Sequence, residues 1–135
     1  MTSLNNWQIT PKELFAMGPI VPVLVIDKVE DALPIAEALL TAGIKVLEVT
    51  LRTPAALDVI SIIAKELPEA VVGAGTVTNR LHLQQSIDAG AKFALSPGLT
   101  PDLLKAGNES SIALIPGVSS VSDLMGAADL GYDHL

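Results

Sequence analysis

The sequence predicts an α/β fold in which helices cover a parallel β-sheet. Segments typical of strands alternate with segments typical of helices along the chain, roughly every 20 to 26 residues, as in consecutive βαβ units. The strand-like segments are continuous aliphatic runs, which is typical of parallel strands that are covered on both faces. Half of the 135 residues are hydrophobic but only 3% are aromatic, so the core must consist mainly of Val, Ile, Leu and Ala.

The chain begins with a segment, residues 1–18, that we interpret as a leader to the first strand. Thr10-Pro11-Lys12-Glu13 combines a capping-box pattern with a proline in the first turn, which predicts a short helix. Gly18 is expected to end that helix. Trp7 is expected to anchor the leader by packing rather than to belong to a functional site.

The first βα unit follows the leader. Residues 19–26 form an aliphatic run that predicts a buried strand. Residues 29–42 have the spacing of a helix. Pro34 makes the first turn of this helix uncertain, because a proline inside a helix removes a backbone hydrogen bond. The residues expected to share its apolar face are Leu33, Ala36, Leu39 and Leu40.

The second strand, residues 45–52, carries the most informative side chains. Glu48 interrupts its apolar run, and an ionised carboxylate inside a covered strand costs free energy unless it is paired or functional. Arg52 lies four residues further on and is expected to point to the same face. Two interpretations remain open. The pair forms a structural ion pair at the end of the strand, or it is a catalytic carboxylate beside an arginine that binds an anion.

Helix and strand signals continue to alternate after Arg52. Thr53 is expected to be the N-cap, and Pro54 the first helical residue, of a helix that covers residues 55–67. Its apolar stripe is expected to contain Leu57, Ile60, Ala64 and Leu67. Further strands are predicted at residues 71–76, 92–98 and 112–117, and further helices at residues 79–89, 100–107 and 120–130. The expected N-caps of these helices are Asn79, Thr100 and either Ser119 or Ser120.

The composition argues against several classes of partner. The formal net charge is -7 and the eight Lys and Arg residues are scattered, so we expect no binding to nucleic acid or to an anionic membrane surface. Cysteine is absent, which excludes disulfides and thiolate metal sites. The apolar runs are too short to cross a bilayer and the N-terminus lacks the features of a signal peptide, so we expect a soluble cytoplasmic protein.

Several motifs with known chemistry are incomplete. Gly73-Ala74-Gly75 lacks the third glycine of a dinucleotide fingerprint, and the sequence contains no P-loop ending. His82 and His134 have no carboxylate or second histidine at metal-ligand spacing, so we interpret both as structural and expect no bound metal. Lys45 and Lys92 begin strands, at the end of the sheet that serves stability, and are poor catalytic candidates.

The sequence contains five complete βα units and the start of a sixth, and no linker divides it. We therefore interpret residues 1–135 as one domain. A barrel of eight units needs about 200 residues or more, and a doubly wound open sheet that ended here would end on an incomplete strand. The chain is therefore expected to be the N-terminal part of a longer (β/α)8 barrel. In such folds the chemistry lies at the C-terminal ends of the strands. The expected ends are Arg52, Gly75-Thr76, Ser96-Pro97-Gly98 and Pro116-Gly117, although ordinary turn chemistry explains their glycines and prolines about as well.

Four motifs, in register along the chain, resemble a known family. They are Glu48-Val49-Thr50-Leu51-Arg52-Thr53, Gly73-Ala74-Gly75-Thr76, Ser96-Pro97-Gly98-Leu99-Thr100 and Ile115-Pro116-Gly117-Val118. From about Gly18 to the last residue the chain resembles the class I aldolases that cleave 2-keto-3-deoxy-6-phosphogluconate (KDPG) to pyruvate and glyceraldehyde 3-phosphate. These enzymes also cleave 4-hydroxy-2-oxoglutarate to pyruvate and glyoxylate. The resemblance implies a (β/α)8 barrel, a Schiff-base mechanism without metal or other cofactor, and a homotrimer.

The resemblance also implies roles for individual residues. Glu48 would be the general acid/base, Arg52 and Thr76 would hold the carboxylate of pyruvate or of the keto-acid substrate, and Pro97 would line the pocket. The family's Schiff-base lysine lies on the sixth strand in a Lys-Phe-Phe-Pro motif, and by register it would come immediately after Leu135. Either the chain is truncated there or the lysine is chemically modified, for example as a carbinolamine or a pyruvate imine. The closeness of the break to the nucleophile favours modification.

Two other functions remain open. One is a non-catalytic α/β module that holds a small anion with Arg52, Thr76 and helix N-termini, although a carboxylate that points at the anion argues against it. The other is an aldolase for the galactonate epimer, and the resemblance at Thr50 and Arg52 favours the gluconate branch. Borohydride reduction in the presence of pyruvate separates an aldolase from a binding module, because only the aldolase forms a reducible imine.

Overall fold

A computed structural model of the chain describes residues 5–135, in which strands and helices alternate. The strands of this range are β1 (Val23–Leu24), β2 (Val46–Thr50), β3 (Val71–Gly75), β4 (Phe93–Ser96) and β5 (Ala113–Pro116). The α-helices are α1 (Pro11–Ala16), α2 (Ala32–Thr41), α3 (Ala56–Glu66), α4 (Arg80–Asp88), α5 (Pro101–Glu109) and α6 (Val121–Asp129). A 3₁₀ turn, Val29–Asp31, leads into α2.

The strands of the described range form one sheet in the order β1-β2-β3-β4-β5, and every neighbouring pair is parallel. This confirms the prediction of consecutive parallel strands joined by helical crossovers. The longest ladder joins β2 to β3, where Val46 pairs with Val71, Glu48 with Gly73 and Thr50 with Gly75. Parallel strands in sequential order, each followed by a helix, are the units of a (β/α)8 barrel.

The two faces of the sheet bury different clusters. One face carries Leu47 and Val49 and packs under the helices in the larger core, which also contains Ile60 and Ile63 of α3. The opposite face, here called the inner face, carries a second cluster of Val46, Phe93 and Ile115, against which α1 packs its Leu14. Alternate residues of a strand point to opposite faces, so Glu48 shares the inner face with Val46.

The described start of the chain, from residue 5 onward, packs as predicted. The Thr10 hydroxyl accepts the Glu13 N–H at 3.3 Å and the Glu13 carboxylate accepts the Thr10 N–H at 2.9 Å, which completes the capping box. Trp7 donates from Nε1 to the Gly107 carbonyl at 2.9 Å, and its ring lies 6.0 Å from that of Tyr132. The leader is therefore anchored on α5 and on the segment after α6. The part of the predicted leader at residues 1–4 lies outside the described residues.

The first strand is shorter and more exposed than predicted. Of residues 19–26 only Val23 and Leu24 form β1, and Val23 is 58% exposed. Within the described range β1 is an edge strand, and the predicted span contains two prolines, which cannot donate to a ladder. The prediction of a buried strand was wrong, and of this segment only Ile26 is buried.

The beginning of α3 also differs from the prediction. Thr53 is not its N-cap, because α3 begins at Ala56 and the Thr53 hydroxyl donates instead to the Ile26 carbonyl at 2.7 Å. This bond ties the turn after β2 to the segment after β1. Of the predicted apolar stripe only Ile60 is buried, since other apolar residues with the same helical spacing face the sheet. The buried residues of α3 are Ala56, Val59, Ile60 and Ile63.

Two further helix boundaries have a physical explanation. Pro34 is the third residue of α2, where its missing N–H removes no bond within the helix. Helix α5 continues through Gly107 to Glu109, so the prediction that it ends near Gly107 was wrong by two residues. A Cβ at Gly107 would lie 2.6 Å from Cδ2 of Leu114, so this glycine lets α5 lie close to β5.

The predicted N-caps are confirmed at Asn79, Thr100 and Ser120, each of which accepts a backbone N–H.

Candidate active site

The predicted site residues lie at one end of three successive strands. Glu48 is on β2 and Arg52 is in the turn that follows it, Thr76 directly follows β3, and Pro97 directly follows β4. Because the strands are parallel, their C-terminal ends meet at the same rim of the sheet. This rim is the end at which barrels and open α/β sheets bind their ligands.

Glu48 is held on the inner face, close to the glycines of β3. Its Cα partner across the ladder is Gly73, but its side chain extends over Gly75, two residues nearer the rim. A Cβ at Gly75 would overlap Oε1 of Glu48 and would lie only 2.7 Å from its Cδ. The carboxylate therefore occupies space that only a glycine at position 75 leaves empty.

The carboxylate of Glu48 is half-buried and has no direct ionic partner among residues 5–135. Burial raises its pKa above the ordinary value of 4.5, and the positive charge of Arg52 lowers the pKa to a smaller extent. No atoms of Glu48 and Arg52 form an ion pair within 4.0 Å, and no residue in the range 5–135 donates a hydrogen bond to the carboxylate. The interpretation of Glu48 and Arg52 as a structural ion pair is therefore not supported.

Arg52 reaches the rim in a different way from that expected. The sequence predicts a strand as far as residue 52, but β2 ends at Thr50 and the chain turns at Leu51. The Leu51 N–H donates to the Gly75 carbonyl at 2.9 Å, which fixes the start of this turn against β3. Arg52 is exposed at the rim, where its guanidinium is free of ion pairs with the described residues.

Thr76 has a backbone conformation that is unusual for its residue type. Its φ is 60°, in the left-handed region, and among the described residues it is the one non-glycine with a positive φ. A β-branched residue in this region is strained, and such strain typically costs roughly 1–3 kcal/mol and is concentrated at functional sites. The strain therefore marks Thr76 as a functional candidate beside Glu48. The carbonyl of the neighbouring Gly75 accepts the Leu51 N–H and so fixes the turn after β2.

Pro97 is exposed and is held by close backbone packing. The Gly117 N–H donates to the Ser96 carbonyl at 2.9 Å, and a Cβ at Gly117 would lie 2.8 Å from the carbonyl carbon of Pro97. The Ser96 hydroxyl is buried and has no hydrogen-bond partner in the described range. Pro97 also lines a shallow cleft of about 210 Å³ with Thr78, Gly98, Leu99, Thr100 and Leu103, which does not include Glu48.

Three residues that were not predicted to belong to the site, Gly73, Gly75 and Phe93, shape the space around Glu48. Gly73 and Gly75 were considered only as an incomplete dinucleotide fingerprint and as part of a strand end, and Phe93 was not singled out. A Cβ at Gly73 would lie 2.5 Å from three atoms of the Phe93 ring. The alternation of inward positions on β3 gave a signal, because residues 73 and 75 share one face and both are glycine. Thr50 is buried, and its hydroxyl donates to the Leu24 carbonyl at 3.0 Å.

The residues set aside from catalysis have other contacts. His82 Nδ1 lies 3.1 Å from the Thr78 hydroxyl, and His134 Nδ1 lies 2.7 Å from Asp133. Lys45 and Lys92 precede β2 and β4 at the opposite end of the sheet from the rim. Within residues 5–135 no group of three or more histidines and acidic residues is arranged to hold a metal ion. No helix in the described part of the chain is long and apolar enough to span a membrane.

Comparison with known proteins gives consistent matches along nearly the whole chain. The family model described as KDPG and KHG aldolase matches residues 12–135. The 2-dehydro-3-deoxy-phosphogluconate aldolase of Pseudoalteromonas atlantica is 59% identical over 130 residues, which are 96% of this chain and 60% of that protein. The KHG/KDPG aldolase of Escherichia coli is 54% identical over 128 residues, which are 95% of this chain and 60% of that protein.

A solved structure agrees closely with the fold. The KDPG aldolase of Legionella pneumophila superposes with a TM-score of 0.93 at 50% identity, covering 96% of this chain and 63% of that one. That crystal structure holds pyruvate captured at low pH as a covalent carbinolamine intermediate. The predicted fold class, βα units of a (β/α)8 barrel, is confirmed. The chain spans about 60% of the length of the curated relatives that it matches.

Proposed function

Because this chain belongs to the KDPG and KHG aldolase family, we propose that it forms part of the active site of a class I aldolase. The reaction is the cleavage of 2-keto-3-deoxy-6-phosphogluconate to pyruvate and glyceraldehyde 3-phosphate, with 4-hydroxy-2-oxoglutarate as a second substrate. The observation that carries the proposal is the half-buried carboxylate of Glu48 over Gly75 at the rim, which forms no ion pair or hydrogen bond with the described part of the chain. A carboxylate kept without a partner in this position is suited to proton transfer.

Glu48 acts as the general acid/base. After a lysine amine has formed an imine with C2 of the substrate, cleavage of the C3–C4 bond requires removal of the proton from the C4 hydroxyl. Glu48 takes this proton, and it returns a proton to C3 of the enamine that remains. Burial raises the pKa of Glu48 toward the range in which a carboxylate transfers protons in both directions at neutral pH.

Arg52, Thr76 and Pro97 bind the pyruvate end of the substrate. Arg52 offers a planar guanidinium that is free of described ion pairs, and such a group binds a carboxylate through two parallel hydrogen bonds. The Thr76 hydroxyl, on a strained backbone, donates to the same carboxylate. Pro97 lines the apolar side of the pocket. The resemblance favours the gluconate branch through Thr50 and Arg52. Thr50 is buried, so of these two residues only the exposed Arg52 can contact a ligand.

The Schiff-base lysine of this proposal comes from a sixth strand that follows the chain. A suitable test protein therefore joins this chain to the remaining part, about two fifths, of the Pseudoalteromonas atlantica aldolase. We call it the hybrid protein. Incubation of the hybrid protein with pyruvate and borohydride should increase its mass by one reduced pyruvate, and the hybrid should cleave the phosphorylated substrate. The 135-residue chain alone is the matched control and should acquire no such adduct.

The role of Arg52 has a matched control in Arg80, which is the other arginine of the chain. Arg80 begins α4 and is ion-paired with Asp102 and Glu109 on the surface. Charged hydrogen bonds contribute about 1.5–3 kcal/mol, so Arg52→Ala should raise the KM for the keto acid about ten- to a hundredfold, whereas Arg80→Ala should leave it unchanged. An anion-binding module without catalysis would bind pyruvate through Arg52 but form no reducible imine, and that result would overturn the aldolase proposal.

Two further properties accompany the proposal. We propose a homotrimer, supported by the family resemblance and by exposed apolar side chains on α6, such as Val121 and Met125. Analytical ultracentrifugation of the hybrid protein tests this assembly. A cytoplasmic location fits a phosphorylated substrate, because such a charged molecule is retained inside the cell. Fractionation of cells that express the hybrid protein with a tag tests the location.

A further inference from the structure

The Glu48 side chain does not extend over its own ladder partner on β3. Glu48 is paired with Gly73 in the ladder, so the shortest path for its side chain would lead over Gly73. The carboxylate lies instead over Gly75, one inward position nearer the rim. An ideal Cβ at Gly75 would be 2.7 Å from Cδ and 2.9 Å from Cγ of Glu48, so a large part of the side chain occupies this space.

The space over Gly73 is occupied from the other side. Phe93 on β4 is 1% exposed, and its ring lies where a side chain at residue 73 would be. A Cβ at Gly73 would be 2.5 Å from each of three ring atoms. The two inward positions of β3 therefore receive side chains from opposite neighbours, one from β4 and one from β2.

We propose that Phe93 and Gly75 are positioning residues for Glu48. The Phe93 ring fills the deeper space, and the missing side chain at Gly75 leaves the space at the rim, so the carboxylate is held at the rim. This inference rests on the proposed function, because the rim is where the substrate of an aldolase would bind. Neither residue touches the substrate in this scheme.

The backbone at Gly75 allows a clean test. Gly75 does not have a positive φ, so an alanine at this position adds a methyl group without backbone strain. Its carbonyl can still accept the Leu51 N–H, because that bond does not involve the side chain. The added methyl would lie where the Glu48 carboxylate is, so the carboxylate must move. A displacement of about 1 Å at a catalytic group can cost on the order of a hundredfold in rate.

The experiment uses Gly75→Ala in the hybrid protein. The kcat should fall about tenfold or more, by the sensitivity of proton transfer to position, with a much smaller change in KM because Arg52 and Thr76 are intact. Gly126→Ala is the matched control, since Gly126 is exposed on α6 and a methyl group added there would have no atom within 4 Å. A Gly75→Ala variant with the parent kcat would overturn the proposal.

A double substitution shows whether Gly75 acts through Glu48. Glu48→Ala empties the space over Gly75, because Cγ and the carboxylate are both removed, and it is expected to lower kcat by itself. In that background Gly75→Ala should cost little more, because the methyl then meets an empty space. If the methyl costs the same factor in both backgrounds, Gly75 affects the rate by another route and the positioning role is wrong.

The proposal can still be tested if Gly75→Ala folds poorly or if the parent hybrid protein is inactive. The variant Phe93→Leu serves the first case, and a titration of Glu48 serves the second. Phe93→Leu empties part of the space over Gly73, so Glu48 can move away from the rim and kcat should fall with little change in KM. The titration of the ¹³C-labelled Glu48 carboxyl, identified by comparison with Glu48→Gln, should shift in Gly75→Ala and Phe93→Leu but not in Gly126→Ala. An inactive parent hybrid would refute the proposed function alone, and an unshifted titration would refute the positioning alone.

Discussion

The substitution Glu48→Gln separates a catalytic from a structural carboxylate. The amide keeps the size and shape of the side chain over Gly75, so the packing of the inner face is preserved. It cannot accept and return a proton. General acid–base assistance contributes about 10²–10⁴-fold, which corresponds to roughly 3–5 kcal/mol of transition-state stabilisation. Single-turnover cleavage by the hybrid protein should slow by that factor, while pyruvate binding at Arg52 and Thr76 persists.

The same substitution should stabilise the protein at neutral pH. Burial raises the pKa of Glu48 above 4.5, so the folded protein binds this proton more tightly than the unfolded chain does. The stability from this group is fully present below the unfolded pKa and is lost as the pH rises through the folded pKa. Glutamine does not titrate, so the variant should exceed the parent in free energy of unfolding at neutral pH and lose this advantage in acid.

Urea unfolding at acidic and at neutral pH, together with single-turnover kinetics, decides between the two roles. A structural carboxylate paired with Arg52 gives the opposite pattern, because the pair would stabilise the folded state at neutral pH. A Glu48→Gln variant that is less stable at neutral pH and still cleaves loaded substrate at nearly the parent rate would refute the reasoning.

Four further predictions concern the hybrid protein and the isolated chain. Thr76→Gly should raise the melting temperature, because glycine relieves a strain of roughly 1–3 kcal/mol, yet raise the KM for pyruvate because the hydroxyl is lost. Ser96→Ala should be neutral or stabilising in urea unfolding, since its buried hydroxyl is unpaired in the described range, whereas Ser86→Ala should cost about 1 kcal/mol because that hydroxyl is hydrogen-bonded. Gly107→Ala should cost about 1–3 kcal/mol by overpacking against β5, whereas the control Gly126→Ala, at an exposed helical position, should stabilise the protein by about 1 kcal/mol. The isolated 135-residue chain should self-associate through its exposed sheet edges, and a monodisperse, cooperatively melting monomer would refute the prediction of one domain within a larger barrel.

The order of the elements could be predicted because it depends on local signals. Capping residues such as Asn79 and Thr100 satisfy N–H groups only a few residues away, so their spacing alone identifies a helix start. The strand order follows from the alternation of strands and helices with the right-handed crossover rule. Thr53 has the same local signal but bonds to Ile26, which lies on the neighbouring segment and cannot be recognised from spacing.

The identity of the site residues was predictable to a smaller extent. Glu48 was recognisable because a charged residue in an apolar strand has a cost that needs an explanation. The absence of an ion pair with Arg52 was not recognisable, because it depends on where β2 ends and on how the turn at Leu51 directs the chain. The left-handed backbone of Thr76 gives no sequence signal, since threonine is uncommon in that conformation.

The glycines of β3 explain why the environment of Glu48 is not encoded on its own strand. At residues 73 and 75 the inner face of β3 has no side chain, so the neighbours on β2 and β4 share the space above it. Phe93 takes the deeper part and Glu48 takes the part at the rim. A packed interior has little spare volume, so a methyl group added on β3 must displace a side chain of β2 or β4. The position of the carboxylate is therefore a property of three strands together, and substitutions on β3 and β4 should alter it without any change in Glu48 itself.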